Sequence, residues 1–267
     1  MQDSFKKIDH HASPLSSRLC CCILMLSTTL FSACKKEVPD DNTDEISFSF
    51  HERNFGESAD ELLRADRFFS LKVEVQYMDG YEPDALAIQN LRRFLMQRLR
   101  KPGGIYFVQR KIPAVKDSVL TRGQVDEIRR ANRREYTKGN QLAVYILYTN
   151  GEFQNRNILG QAFRNTSIVI YGKALEHHSN TFSNPARTTL ETTLLLHEMG
   201  HLLGLVDKGT PMTFDHADST KEAHCNNPKC IMYWGISVTN RYGTLKLSPI
   251  PEFDSACLLD LRNNGGK

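Results

Sequence analysis

The residues best able to do chemistry lie in Leu194-Leu195-Leu196-His197-Glu198-Met199-Gly200-His201-Leu202-Leu203-Gly204-Leu205-Val206-Asp207. On a helix, His197 and His201 stand four residues apart and project from one face, about a turn from each other. Two imidazoles placed that way can ligate one metal ion, and Glu198 beside them can take a proton from a water held there. Gly204 can end the helix in the left-handed conformation, turning the chain back so that Asp207 offers a third ligand. His216 and His224 are rivals for that place, because both lie in the loop-rich stretch that follows. The leucines around the motif bury the helix, which makes unpaired imidazoles there costly and argues against two incidental histidines. Three protein ligands, an open fourth position and a carboxylate base are the parts of a hydrolytic zinc site.

These side chains need elements to hold them. Asn184-Pro185 supplies an N-cap and a proline at the first helical position for the helix that carries both histidines and ends near Leu203. Upstream, Leu71 to Tyr77 alternates apolar and polar residues, as a strand with one buried face does. Pro83 to Arg100 has apolar residues at helical spacing and is stopped by Pro102-Gly103-Gly104. Ile105 to Val108 reads as a strand, Thr121 to Tyr136 as a strongly charged helix, and Gln141 to Tyr148 as a strand buried on both faces. After the Asn150-Gly151 turn, Ile158 to Phe163 and Ser167 to Tyr171 form a hairpin-like pair of strands. Ile46 to Phe50 alternates as a further strand, and Leu62 to Phe69 fits either kind of element. This order implies a mostly parallel sheet with right-handed crossovers, to which the later pair adds one antiparallel strand. The expected architecture is α+β: a twisted, mostly parallel sheet with an antiparallel edge strand, an active-site helix, and a loop-rich region from Asp207 to Pro251.

With 40% hydrophobic and 24% charged residues, the 267-residue chain is globular in composition, and a net charge of +3 is too small to argue for nucleic acid as a partner. Two arginine clusters, Arg92, Arg93, Arg98, Arg100 and Arg129, Arg130, Arg133, Arg134, fall in helical patterns and read as solvated faces. Lys6, Lys7 and Arg18 precede an apolar run from Leu19 to Phe31 that is too short for a permanent span and has the shape of a signal-peptide core. It ends at Leu30-Phe31-Ser32-Ala33-Cys34, and small residues before a cysteine resemble a bacterial lipobox with Cys34 as the lipidated residue. Residues 1–33 are therefore expected to be a signal peptide, 34–45 a lipidated cysteine and flexible tether, and 46–267 one domain held at the cell envelope through the membrane. Cys20, Cys21 and Cys22 leave with the signal. Cys225, Cys230 and Cys257 remain, and in an oxidising compartment two of them are expected to pair.

The pattern H-E-x-x-H-x-x-G-x-x-D from His197 to Asp207, with Cys230-Ile231-Met232-Tyr233 downstream, resembles the metzincin zinc metallopeptidases. The resemblance implies a zincin domain with one catalytic zinc, Glu198 as general base and Met232 as the Met-turn residue packed beneath the metal. It also implies an extended peptide laid along the edge strand at Asn157 to Arg164. The aspartate at the third ligand position is similar to the snapalysin-type variant. His224-Cys225 through Cys230-Ile231-Met232 resembles archaemetzincins, in which such cysteines join a later pair in a second, structural zinc site. Here Asp254 stands where one cysteine of that pair is expected before Cys257, so a Cys225–Cys230 disulfide is the expectation instead. Gly204 to Met212, followed by His-Cys and Met-Tyr-Trp, looks most like membrane-anchored metalloproteases of Bacteroidetes. Tyr171 and Tyr233 could face a reacting oxyanion, although packing suits each better. The expected function is that of a monomeric zinc-dependent endopeptidase acting on protein or peptide substrates. The alternative is a non-proteolytic, metal-binding surface lipoprotein that keeps the fold.

Overall fold

The computed structural model describes residues 48–179, 184–235 and 250–267, and for 184–186 the backbone only. The expected signal peptide, Cys34 and the tether lie outside these residues. Among the described residues no helix is long and apolar enough to cross a membrane.

In chain order the elements are α1 (Ala59–Leu63), β1 (Ser70–Met78), α2 (Ala85–Arg98), β2 (Ile105–Ile112), β3 (Val119–Leu120), α3 (Arg122–Asn132), β4 (Gln141–Thr149), β5 (Glu152–Phe153), β6 (Gly160–Arg164), β7 (Ser167–Tyr171), α4 (Gly172–Ser179), α5 (Asn184–Leu202) and α6 (Ser255–Asn263). Five strands form one sheet in the order β2-β1-β4-β7-β6. All neighbours are parallel except β6, which pairs antiparallel with β7 at the edge and carries a bulge between Ala162 and Arg164. The expected mostly parallel sheet with one antiparallel edge strand is therefore the observed one. β3 and β5 make a separate two-stranded parallel ladder that local patterning did not reveal.

Central strand β4 is buried from Leu142 to Thr149, with apolar side chains on both faces. Each such Val, Leu or Ile contributes about 1.5–3 kcal/mol by leaving water. Helix α2 starts where Asp84 accepts hydrogen bonds from the Leu86 and Ala87 amides, a cap one residue beyond Pro83. Helix α5 packs against α2 on one side and β6 on the other. That sandwich explains why Leu190, Leu194, Leu195, Met199 and Leu202 are all buried around its circumference.

Several sequence expectations change. Phe48–Glu52 is a 3-10 turn, not a strand. Its Glu52 is needed as a partner for buried Arg129, which a strand's alternation does not convey. The helix expected to reach Tyr136 ends at Asn132. β1 is covered on both faces: its Glu74 is fully buried and accepts hydrogen bonds from the amides of Arg134 and Glu135. The second arginine cluster is only partly a solvated face. Arg129 is fully buried and pairs with Glu52 and Asp126. Arg133 is buried too, donating to the Ala143 carbonyl and the hydroxyls of Thr166 and Ser167. Burial lowers its pKa to about 10.

Candidate metal centre

Helix α5 presents His197, Glu198 and His201 toward the outer side of β6, as their spacing requires. The third member of the group is His224: one ligand atom from each of His197, His201 and His224 lies within 4.8 Å of the others. His197 and His201 bring their Nε2 atoms to 3.1 Å. Two nitrogens each about 2.0–2.1 Å from a tetrahedral zinc stand about 3.3 Å apart, so this separation fits the ion.

The surrounding backbone fixes which nitrogen is free. His197 Nδ1 donates to the Ile231 carbonyl at 2.7 Å, and His224 Nδ1 donates to the Glu222 carbonyl at 2.7 Å. A carbonyl only accepts, so both rings carry their proton on Nδ1 and keep the Nε2 lone pair for the centre. Burial lowers the pKa of His197 to about 4 and that of His224 below the usual imidazole range. His201 is pushed well down by burial and by the other two rings. All three are thus neutral near pH 7, the form that binds a metal. The His201 Nδ1 is buried without a partner among the described residues, while the Phe55 ring stands edge-on to the imidazole at 5.7 Å.

Glu198 Oε2 accepts the Ala162 amide of β6 at 2.6 Å. Burial raises the Glu198 pKa to about 8, against the lowering effect of that amide. The carboxylate is therefore held between the histidines and the edge strand. Met232 is fully buried, and its thioether lies against Gly200, the glycine between the two histidines on α5. Tyr171 is buried and donates its hydroxyl to Gln161 at 3.1 Å, a packing role, and the ring of Tyr233 tilts against Trp234.

Asp207, the favoured third ligand in the sequence reading, is exposed and takes no part in the group. Gly204 does turn left-handed as expected, with φ +70°. The turn then closes on itself: the Lys208 and Thr210 amides return to the Gly204 carbonyl, and the Thr210 hydroxyl caps Leu203. Lys208 and Gly209 lie against Gly56, and Gly204 lies against Ala59. His224 arrives because its neighbour Cys225 donates its amide to the Met232 carbonyl, which docks the loop against the Ile231–Met232 segment.

His216, the other rival, belongs to a second group. His216, Cys225, Asp254 and Cys257 offer ligand atoms within 4.8 Å of one another, and Cys230 Sγ is 3.6 Å from Cys257 Sγ. All three cysteines are free, so the expected Cys225–Cys230 disulfide is not formed. His216 Nε2 bonds the buried Asp260 carboxylate at 2.7 Å and turns Nδ1 toward Cys225 Sγ at 3.4 Å. That carboxylate–histidine pairing is how a metal ligand is oriented. Asp254 instead caps α6 through the Cys257 amide and accepts from Asn227. The group therefore offers the Cys225 and Cys257 sulfurs, His216 Nδ1 and the Asp254 carboxylate, which also accepts from Cys225 Sγ at 3.4 Å, while Cys230 stands beside Cys257.

The histidines, Glu198 and the outer side of β6 open on a cleft of about 480 Å³, also lined by Phe55, Leu194 and Trp234. Phe55, the Ala162 amide and the carbonyls of Ile231 and Glu222 were not found by sequence reasoning. Backbone atoms carry no residue-type signal, and only proximity reveals them. No protein-family model matches the chain, and no curated protein matches it. Among solved structures, archaemetzincin from Methanopyrus kandleri is 18% identical, over 74% of this chain and 97% of that chain, with a TM-score of 0.49.

Proposed function

We propose that the chain is a zinc-dependent endopeptidase anchored at the cell envelope through Cys34. The observation that carries the reading is the convergence of His197, His201 and His224 beside a carboxylate held on an edge strand. A zinc ion at the three imidazoles would polarise the scissile carbonyl and lower the pKa of a water. The positive charge of that ion would favour the ionised form of Glu198, which would then accept the water's proton and pass it to the leaving amine. β6 has no strand on its outer side. An extended peptide can add there by main-chain hydrogen bonds. Leu194 and Phe55 give the cleft its apolar walls. The second group is read as a structural zinc site of His216, Cys225, Asp254 and Cys257, which would brace the segment whose Ile231 carbonyl orients His197.

Glu198→Gln should leave zinc bound and lower peptide cleavage at least about a hundredfold, the usual loss on removing a general base. Equal inertness of wild type and variant across a broad peptide set would sink the reading in favour of a metal-binding, non-proteolytic lipoprotein.

A further inference from the structure

Two cations face the cleft without a carboxylate partner among the described residues. Arg122 lines it from the first position of α3, and its charge reaches the phenol of Tyr171, the residue bonded to Gln161 of β6. Lys221 also lines it, in the loop that carries His224, with Nζ 5.0 Å above the Trp234 ring. The acidic groups on the cleft are already engaged. Glu198 is held by the Ala162 amide, and Glu222 is paired with Lys208. Fold stability does not account for Arg122, because a cation in the first turn of a helix opposes the helix dipole.

Resting on the peptidase reading, we infer that Arg122 and Lys221 select peptides carrying a carboxylate near the scissile bond. Both positive charges line the one cleft, Arg122 from α3 and Lys221 from the loop that delivers His224. A peptide laid along β6 lies in that same cleft, which Gly160, Gln161 and Ala162 of β6 also line. An acidic side chain or a free terminal carboxylate there gains a partner at either cation, whereas a lysine or arginine meets like charge. Both cations are exposed, so the gain is modest and sensitive to salt.

Trp234 is the chain's single tryptophan and is half exposed on the cleft, so its fluorescence reports binding directly. Zinc-loaded Glu198→Gln protein is titrated with peptide mixtures free of Trp and Tyr. One is rich in Asp and Glu with amidated ends, a second is its Asn and Gln counterpart, and a third is neutral with free C-termini. The acidic mixture should bind about three- to tenfold more tightly than its amide counterpart at low salt, with the difference shrinking as salt rises. Tighter binding of the third mixture instead would assign the carboxylate to the peptide's C-terminus. Adding Arg122→Gln and Lys221→Gln should remove the preference while unfolding midpoints stay unchanged or rise for Arg122→Gln. No preference for either carboxylate source overturns the inference, as does a preference that survives both substitutions. Preferential binding without cleavage by the wild-type protein would instead count against the peptidase reading alone.

Discussion

Gly200→Ala tests whether the histidine helix and the Met232 segment form one packed unit. A Cβ built at Gly200 would overlap Met232 Sδ and stand 3.1 Å from Phe253 Cε1 and 3.3 Å from Met232 Cε. Two terms oppose each other. Replacing a mid-helix glycine by alanine favours the helix by about 0.5–1 kcal/mol. Forcing a methyl group into a packed interior costs about 1–3 kcal/mol. Met232 is fully buried, and its backbone is held by the Cys225 amide and by Cys230 Sγ, so the side chain has little room to retreat. Overpacking should win, for a net loss of about 1–2 kcal/mol in urea unfolding. The strain should also move the Ile231 carbonyl from His197 Nδ1, and loss of such an orienting bond weakens metal affinity about 10–100-fold. Met232→Ala opens the space, so the double substitution should be less destabilising than the sum of the single ones by about 1 kcal/mol or more. A Gly200→Ala protein more stable than wild type, with zinc affinity unchanged, would refute this packing.

His224→Ala should lower zinc at the first site by at least about tenfold in affinity, whereas Asp207→Asn should leave it unchanged. Metal titration decides between them, and the reverse order would restore Asp207 as ligand. Glu191 is fully buried, with Oε1 accepting from Tyr148 Oη and the Asp84 amide, and Oε2 3.8 Å from Arg187 Nε, an ion pair too long for a hydrogen bond. Burial raises its pKa from 4.5 to about 7. The folded state therefore holds the proton longer than the unfolded chain, and stability falls as pH rises from 4.5 to 7. The shift of 7 − 4.5 corresponds to about 3 kcal/mol at most. Glu191→Gln should accordingly stabilise the protein at pH 8 and hardly at pH 4.5 in urea unfolding; an equal effect at both would contradict this. Cys34→Ala should release the protein from the membrane fraction, and an unchanged fraction would exclude lipidation there.

Local periodicity is what made much of this molecule legible. A four-residue spacing on a helix presents His197 and His201 together whatever surrounds them, and Glu198 follows from its place between them. β4 was readable because a strand covered on both faces has to be apolar throughout, and α2 and Gly204 because caps and turns act within a few residues. Burial by distant segments left no such mark. Glu74 and Arg129 look solvent-facing in the pattern, yet each is enclosed by partners remote in sequence.

The amino-acid sequence by itself determined the histidine pair, the glutamate beside it and the mostly parallel sheet behind them, because each depends on neighbours along the chain. The tertiary structure decided the rest. His224 takes the third place and Asp207 does not, since the turn after Gly204 is consumed in closing α5. His216 goes to the cysteines, because Asp260, 44 residues away, holds its ring there. A loop's destination is set by what it docks against, and that is a property of packing across the whole fold.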